Sequence, residues 1–172
     1  MEVSADEILK AARIPFRHHD TRISTCNMAI ATYLQTDGYR EDIIAGVGAV
    51  IHGASASRFE TFAAMARGAA LLGRNVRYVT MPALMLAVTE DNHPAFDEVA
   101  GAVALYVATM YDHSIPMPLD YAQRMHVEEF LQERTNQKKR NYYSMTKPIA
   151  EADWWSEGFR VTQGRLLRSF AV

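Results

Sequence analysis

The stretch from Val47 to Leu72 constrains this chain more than any other part of it. The run Val47 to His52 is short, apolar and rich in β-branched residues, and glycines bound it, the pattern of a strand buried on both faces. A short loop beginning at Gly53 leads into a helix, over which Phe59, Phe62, Ala63, Ala66, Ala69, Ala70 and Leu72 recur at helical spacing, with Gly73 where a C-terminal cap would stand. A strand buried on both sides requires helices above and below its sheet. The remaining apolar runs therefore read as further strands and covering helices.

Val76 to Thr80 alternates as a second strand, and Pro82 sits early in a helix MPALMLAVT, where a missing amide donor costs little. The acidic turn EDNHPAFDEV leads to GAVALYVATM, whose Val and Tyr content favours a third strand. A helix from about Tyr121 to Asn136 carries Met125, Val127, Phe130 and Leu131 on one side, and NYYSMT reads as a fourth strand. Val161 to Leu167 reads as a helix, and SFAV at the end either completes the sheet or frays. Upstream, Ser4 and Glu7 have capping-box spacing and open a helix from about Ala5 to Ala12. Pro15 disfavours helix at Ile14, Arg17 to Thr25 reads as an irregular surface connection, and a second helix, roughly Cys26 to Thr36, ends near Asp37-Gly38. The pattern predicts one α/β domain over residues 1–172, with a helical lead-in over 1–45, a core over 46–172 and a mostly parallel sheet flanked by helices.

Composition fits this reading. With 172 residues, 49% hydrophobic and 22% charged, the chain can bury a core, which excludes disorder and coiled coils. The 18 Lys and Arg against 20 Asp and Glu leave a charge of −2, so nothing in bulk calls for duplex nucleic acid or an anionic membrane. The single cysteine, Cys26, excludes an internal disulfide and a cysteine zinc cage. With no run near the length of a membrane span and acids where a signal peptide needs bases, a cytoplasmic protein without membrane contact is expected.

The window AVIHGASASRFETF has the layout of a P-loop, in which G-x-x-x-x-G-K-[ST] joins a strand to a helix, its amides cradling phosphates, its lysine reaching the outer phosphates and its hydroxyl holding magnesium. Gly53 matches the first glycine, but Arg58 stands at the second, Phe59 at the lysine and Glu60 at the hydroxyl. Beyond the loop, the order of phrases resembles the AAA+ ATPase domain of bacterial replicative-helicase loaders and their transposition-helper relatives, the DnaC/IstB-like family. ARIPFR precedes a helix containing Tyr33, and ARGAALLGRNVRYVTMPALMLAV follows the loop; VALYVATM lies in the place of the Walker B strand. MPLDYAQRMHVEEFLQERTNQKKRNYYSMTKP and the closing RVTQGRLLRSFAV complete a likeness that covers nearly the whole chain.

This resemblance implies a three-layer P-loop NTPase-like, AAA+-like fold. Carried over by position, it puts a degenerate nucleotide site at Gly53, Ser55, Ser57, Arg58 and Thr146, with Thr146 at the sensor asparagine. The Walker B acids fall on Ala108 and Thr109, which neither hold metal nor orient water, with Asp112 three residues on; Arg165 matches the arginine that reaches a neighbouring subunit's nucleotide. Positioning and electrostatics supply nearly all the catalysis in phosphoryl transfer, so the resemblance implies no catalytic residues, no ATPase activity and no resident cofactor or metal. Arg58 leaves nonproductive ATP binding open.

The implied function is a catalytically inactive, helicase-loader-like protein of a phage or mobile element. It would act by binding a protein of DNA replication or transposition, a replicative helicase or another AAA+ ATPase, as a homo- or hetero-oligomer. Loaders of the family usually carry a separate helicase-binding domain before the phrase that begins here at Ala12, so their usual helicase contact would be absent. Two other readings stand beside it: a weak nucleotide-dependent, DNA-binding ATPase using Arg58 and Asp112, and a structural component that reuses the fold.

Among the remaining residues, His18, His19 and Asp20 read as a surface loop rather than a metal site, His52 as a hydrogen-bonded residue rather than a base, and Cys26 as a structural thiol. Lys138, Lys139 and Arg140 beside Tyr142 and Tyr143 read either as a single-strand nucleic-acid patch or as a solvated helix end before a buried strand. Trp154 and Trp155 read either as a partner anchor or as packing over the sheet edge.

Overall fold

Short polar side chains set several of the helix starts along this chain, and a computed structural model, which describes residues 3–54, 56–108 and 121–172, shows them. Ser4 and Glu7 form both bonds of the capping box at α1 (Ala5–Ala11). A 3₁₀ turn (Phe16–His18), α2 (Ile23–Cys26) and α3 (Met28–Tyr33) follow, Asn27 ending one helix and capping the next.

Asp37-Gly38 begins a helix instead of ending one, because the Thr36 side chain accepts from the Tyr39 amide and Asp37 favours the positive end of α4 (Asp37–Ala45). Gly46 closes α4 at φ +76°, where a Cβ would lie 2.6 Å from the Lys138 backbone.

Then come β1 (Ala49–His52), α5 (Ser57–Leu71), β2 (Val76–Thr80) and α6 (Met81–Thr89). The acidic turn contains a short helix, α7 (Phe96–Gly101), ahead of β3 (Ala104–Ala108). After α8 (Tyr121–Asn136) and β4 (Arg140–Met145), a 3₁₀ turn (Ile149–Glu151) leads to α9 (Glu157–Leu166) and β5 (Arg168–Ala171).

The five strands form one sheet in the order β2-β3-β4-β1-β5, and every pairing is parallel. SFAV completes the sheet: Ser169 to Ala171 pair with Val50 to His52. At the opposite edge the lead-in covers β2, the Tyr78 amide donating to the Ala12 carbonyl at 2.8 Å.

Side-chain alternation in the strands supplies two cores. Ala49, Ile51, Tyr106 and Tyr142 face α5 and the lead-in, whereas Val50, Leu105, Val107 and Tyr143 face α6, α8 and α9. The alanines of α5 let it settle close to the sheet, with Phe62, Ala63 and Ala66 fully buried. A one-residue slip of β1 would exchange the two sets, and each fully buried Ile or Phe is worth about 1.5–3 kcal/mol, so the register is strongly specified.

Candidate functional site

Ligands of open parallel sheets bind beyond the carboxyl ends of the strands, where His52, Ala108 and Met145 end β1, β3 and β4. The loop after β1 is anchored on two sides: the Gly53 amide donates to the Met145 carbonyl at 3.1 Å, and a Cβ on Gly53 would lie 2.1 Å from the Val172 carbonyl oxygen. The first glycine of the P-loop-like window is thus demanded by the close approach of the chain after β5, whatever the loop binds.

Ser57 is exposed at the start of α5, a helix whose N-cap, Ala56, makes no side-chain capping bond. Arg58, one residue into that helix, is only 3% exposed. Its Nη1 donates to the Gly53 carbonyl at 2.7 Å, and its guanidinium lies 4.5 Å over the Phe59 ring. Thr146, half-buried, follows β4, and Ala108, which the resemblance sets at the first Walker B acid, is only 2% exposed. Ser55, Thr109 and Asp112 lie outside the described residues.

Beside the loop, Arg17, His18 and Thr21 of the lead-in face Ala56, Phe59 and Glu60 across a hollow of about 500 Å³. Sequence reasoning placed Glu60 but missed its neighbours; their signal was the ARIPFRHH phrase, whose arginine and first histidine form the opposite wall. The Arg17 Nε donates to His18 Nε2 at 3.1 Å, which holds that nitrogen as an acceptor. Burial, then the Arg17 charge, lower the His18 pKa, while Glu60 pulls it upward.

Burial raises the Cys26 pKa, partly offset by a bond with Thr25, so the thiol is not activated as a nucleophile. Burial likewise lowers the pKa of half-buried His52, against the opposing charge of Glu151. Among the described residues, no three His, Cys, Asp or Glu side chains converge as a metal site.

One expectation needs correction, and two pairs of readings left open by the sequence are separated. His18 and His19 are each 6% exposed rather than on a surface loop, because this segment is fastened to the body of the protein. His19 bonds Asp6 at 3.3 Å and the Ile14 carbonyl at 3.1 Å, and its own carbonyl accepts from Arg67 Nε.

The basic run does not form one patch. Lys138 is exposed, Lys139 Nζ donates to the Ala100 carbonyl at 2.8 Å, and Arg140 is buried against the Tyr142 hydroxyl at 3.2 Å. Tyr142 and Tyr143 are core residues, Tyr142 stacked on Tyr106 with centroids 4.4 Å apart, so neither offers a surface for bases. Trp155 is 1% exposed and packs on Phe159 and the half-buried Trp154, so it belongs to the core and is no exposed anchor. Arg165 is exposed in the last turn of α9, across the sheet from α5.

Solved structures share this architecture. DnaA from Aquifex aeolicus bound to AMPPCP superposes with a TM-score of 0.59 at 11% identity, over 78% of this chain and 44% of that one. A DNA replication initiation factor gives a TM-score of 0.64 at 11% identity, over 88% of this chain and 49% of that one. The fold is that of an AAA+ P-loop ATPase domain.

A protein from Streptococcus pyogenes serotype M3, proposed as a primosome component, has a TM-score of 0.64 at 15% identity and matches over 100% of this chain and 97% of its own. The chain spans less than half the length of the initiators it matches. No family model and no curated protein matches the sequence. Among the described residues, no helix is long and apolar enough to cross a membrane.

Proposed function

We propose that this chain is a catalytically inactive AAA+-like protein of a phage or mobile element. It binds a protein of the DNA replication or transposition machinery, a replicative helicase or another AAA+ ATPase. The observation that carries the reading is the chemistry at the strand ends. Phe59 and Glu60 occupy the positions that need a cation and a hydroxyl, and the first Walker B position is a buried alanine, Ala108. Phosphoryl transfer gains nearly all its rate from such groups, so their absence costs orders of magnitude.

Kinship of fold with DnaA and with the streptococcal protein supports a place among replication proteins. Arg165 is exposed, and by the sequence resemblance it matches the family's trans-acting arginine, so a partner ATPase is its proposed target. Protein contact is favoured over nucleic acid because the basic run is divided between surface and core.

Titration calorimetry with ATP and magnesium, together with a phosphate-release assay, is expected to give no heat and no turnover. Steady release would overturn the inactive reading in favour of an ATPase using noncanonical residues. Affinity purification from the native host with mass spectrometry is expected to recover a helicase, a loader or another DNA-processing protein. Recovery of none of these would leave a structural component that reuses the fold.

A further inference from the structure

We infer that Arg58 is a built-in latch: its guanidinium bridges the first turn of α5 to the Gly53 carbonyl and closes the loop after β1 against phosphate, so this end of the protein keeps one conformation with or without nucleotide. The inference deepens the reading of an inactive site and depends on it only for the position of the loop.

An arginine at the second position of a helix ordinarily extends into solvent, since the positive end of the helix dipole disfavours a cation there and burial strips it of water. Arg58 does the reverse and is 3% exposed, so specific contacts must outweigh both costs. Nη1 donates to the Gly53 carbonyl at 2.7 Å, and the guanidinium carbon lies over the Phe59 ring, 4.5 Å from its centroid. The accepting carbonyl belongs to a fixed residue, because Gly53 is bonded to the end of β4 and pressed against the Val172 carbonyl. The bridge therefore joins α5 to the sheet itself.

In a P-loop the corresponding glycine leaves this space for phosphate, and the phosphate completes the helix N-terminus. Here the side chain fills it from within. An anion drawn by the positive charge must first break the Gly53 bond and lift the guanidinium from Phe59.

The test uses magnesium pyrophosphate as the probe, read by thermal shift, and hydrogen exchange by mass spectrometry on the full chain. The double variant Phe59→Lys/Glu60→Thr restores the cation and hydroxyl and keeps Arg58 with its bond to Gly53, giving up only the ring contact. The triple variant adds Arg58→Gly. Pyrophosphate is expected to raise the melting temperature of the triple variant by several degrees and to leave the wild type and the double variant unmoved. A shift in the double variant equal to that in the triple, or any saturable shift in the wild type, would overturn the latch.

Arg58→Met keeps the stem and removes the guanidinium. It is expected to speed amide exchange over residues 53–60 by roughly tenfold or more while β3 and β4 are unchanged. If the triple variant does not fold or takes no pyrophosphate, this exchange decides, and an unchanged rate refutes the inference. None of these readouts requires a partner or turnover, so the functional reading and the latch fail separately.

Discussion

The two ends of the sheet treat arginine differently. At the amino end, Arg134 of α8 is 2% exposed and donates to Asn141 Oδ1 and the Val99 carbonyl, both at 2.8 Å, and to the carbonyls of Ala100 and Arg140 at 3.2 and 3.3 Å. Burial lowers its pKa to about 10, so it keeps its charge at neutral pH. At the same end Arg168 of β5 grips Asp42 of α4 through two bonds of 2.9 Å, and the Tyr33 hydroxyl also donates to Asp42.

These contacts tie elements together across long stretches of chain. At the carboxyl end Arg58 bonds Gly53, five residues away beside the end of β1, and Phe59 and Ala108 stand where the P-loop resemblance would set a lysine and an acid. Buried arginine joins elements distant in sequence at the amino end, and a loop to the helix that follows it at the carboxyl end.

Substitutions at the two ends test the difference between them. The largest effect is expected from Arg134→Met, which strands several buried carbonyls and Asn141. A loss of about 3–5 kcal/mol and a melting temperature lower by roughly 10 °C are expected in thermal and denaturant unfolding. A change below about 1 kcal/mol would mean that the amino end is not braced by this side chain.

Next is Asp42→Ala, with an expected loss of about 2–3 kcal/mol in urea unfolding, against about 1 kcal/mol for Arg168→Ala, whose side chain is 56% exposed. The Arg168 bond, foremost, holds the Asp42 pKa below its ordinary value. A depressed carboxylate contributes stability above its unfolded pKa of about 3.9 and loses it as pH falls through the folded value. Asp42→Asn is therefore expected to flatten the stability profile below about pH 4.

At the carboxyl end the effect is smaller and lies in another window. His18 has a lowered folded pKa, so its contribution is complete above the unfolded value of about 6.5 and falls away as pH drops below it. His18→Gln, which removes the titrating group facing Arg17 and Glu60, is expected to reduce the slope of stability between about pH 5 and 6.5. An unchanged slope would show that the hollow does not sense pH through this residue. Lys138→Ala, at an exposed site, is expected to shift stability by no more than about 0.5 kcal/mol.

Much of the fold was legible because local periodicity and capping agree with the tertiary arrangement. The capping box at Ser4 and Glu7, the strand Val76–Thr80 and the helix Tyr121–Asn136 were read with the bounds observed or within a residue of them. The helix after Thr36 was not, since Asp-Gly is also a turn signal and only the observed cap decides between the two. The histidine pair was misread, and the basic run and the tryptophans were left between two readings, because exposure depends on neighbours distant in sequence: Arg67 is 48 residues from His19 and fastens it.

Taken alone, the sequence determined the alternation of strands and helices, the parallel sheet, and which residue types stand in the loop after β1. Those properties depend on side-chain pattern and chemical type, which short windows carry. Tertiary structure alone decided that Arg58 turns inward to Gly53, that Gly53 is required by the chain after β5, and that Arg134 and Asp42 join separated elements. Direction, burial and partnership arise only when distant backbone is brought within bonding distance, and no local pattern encodes that.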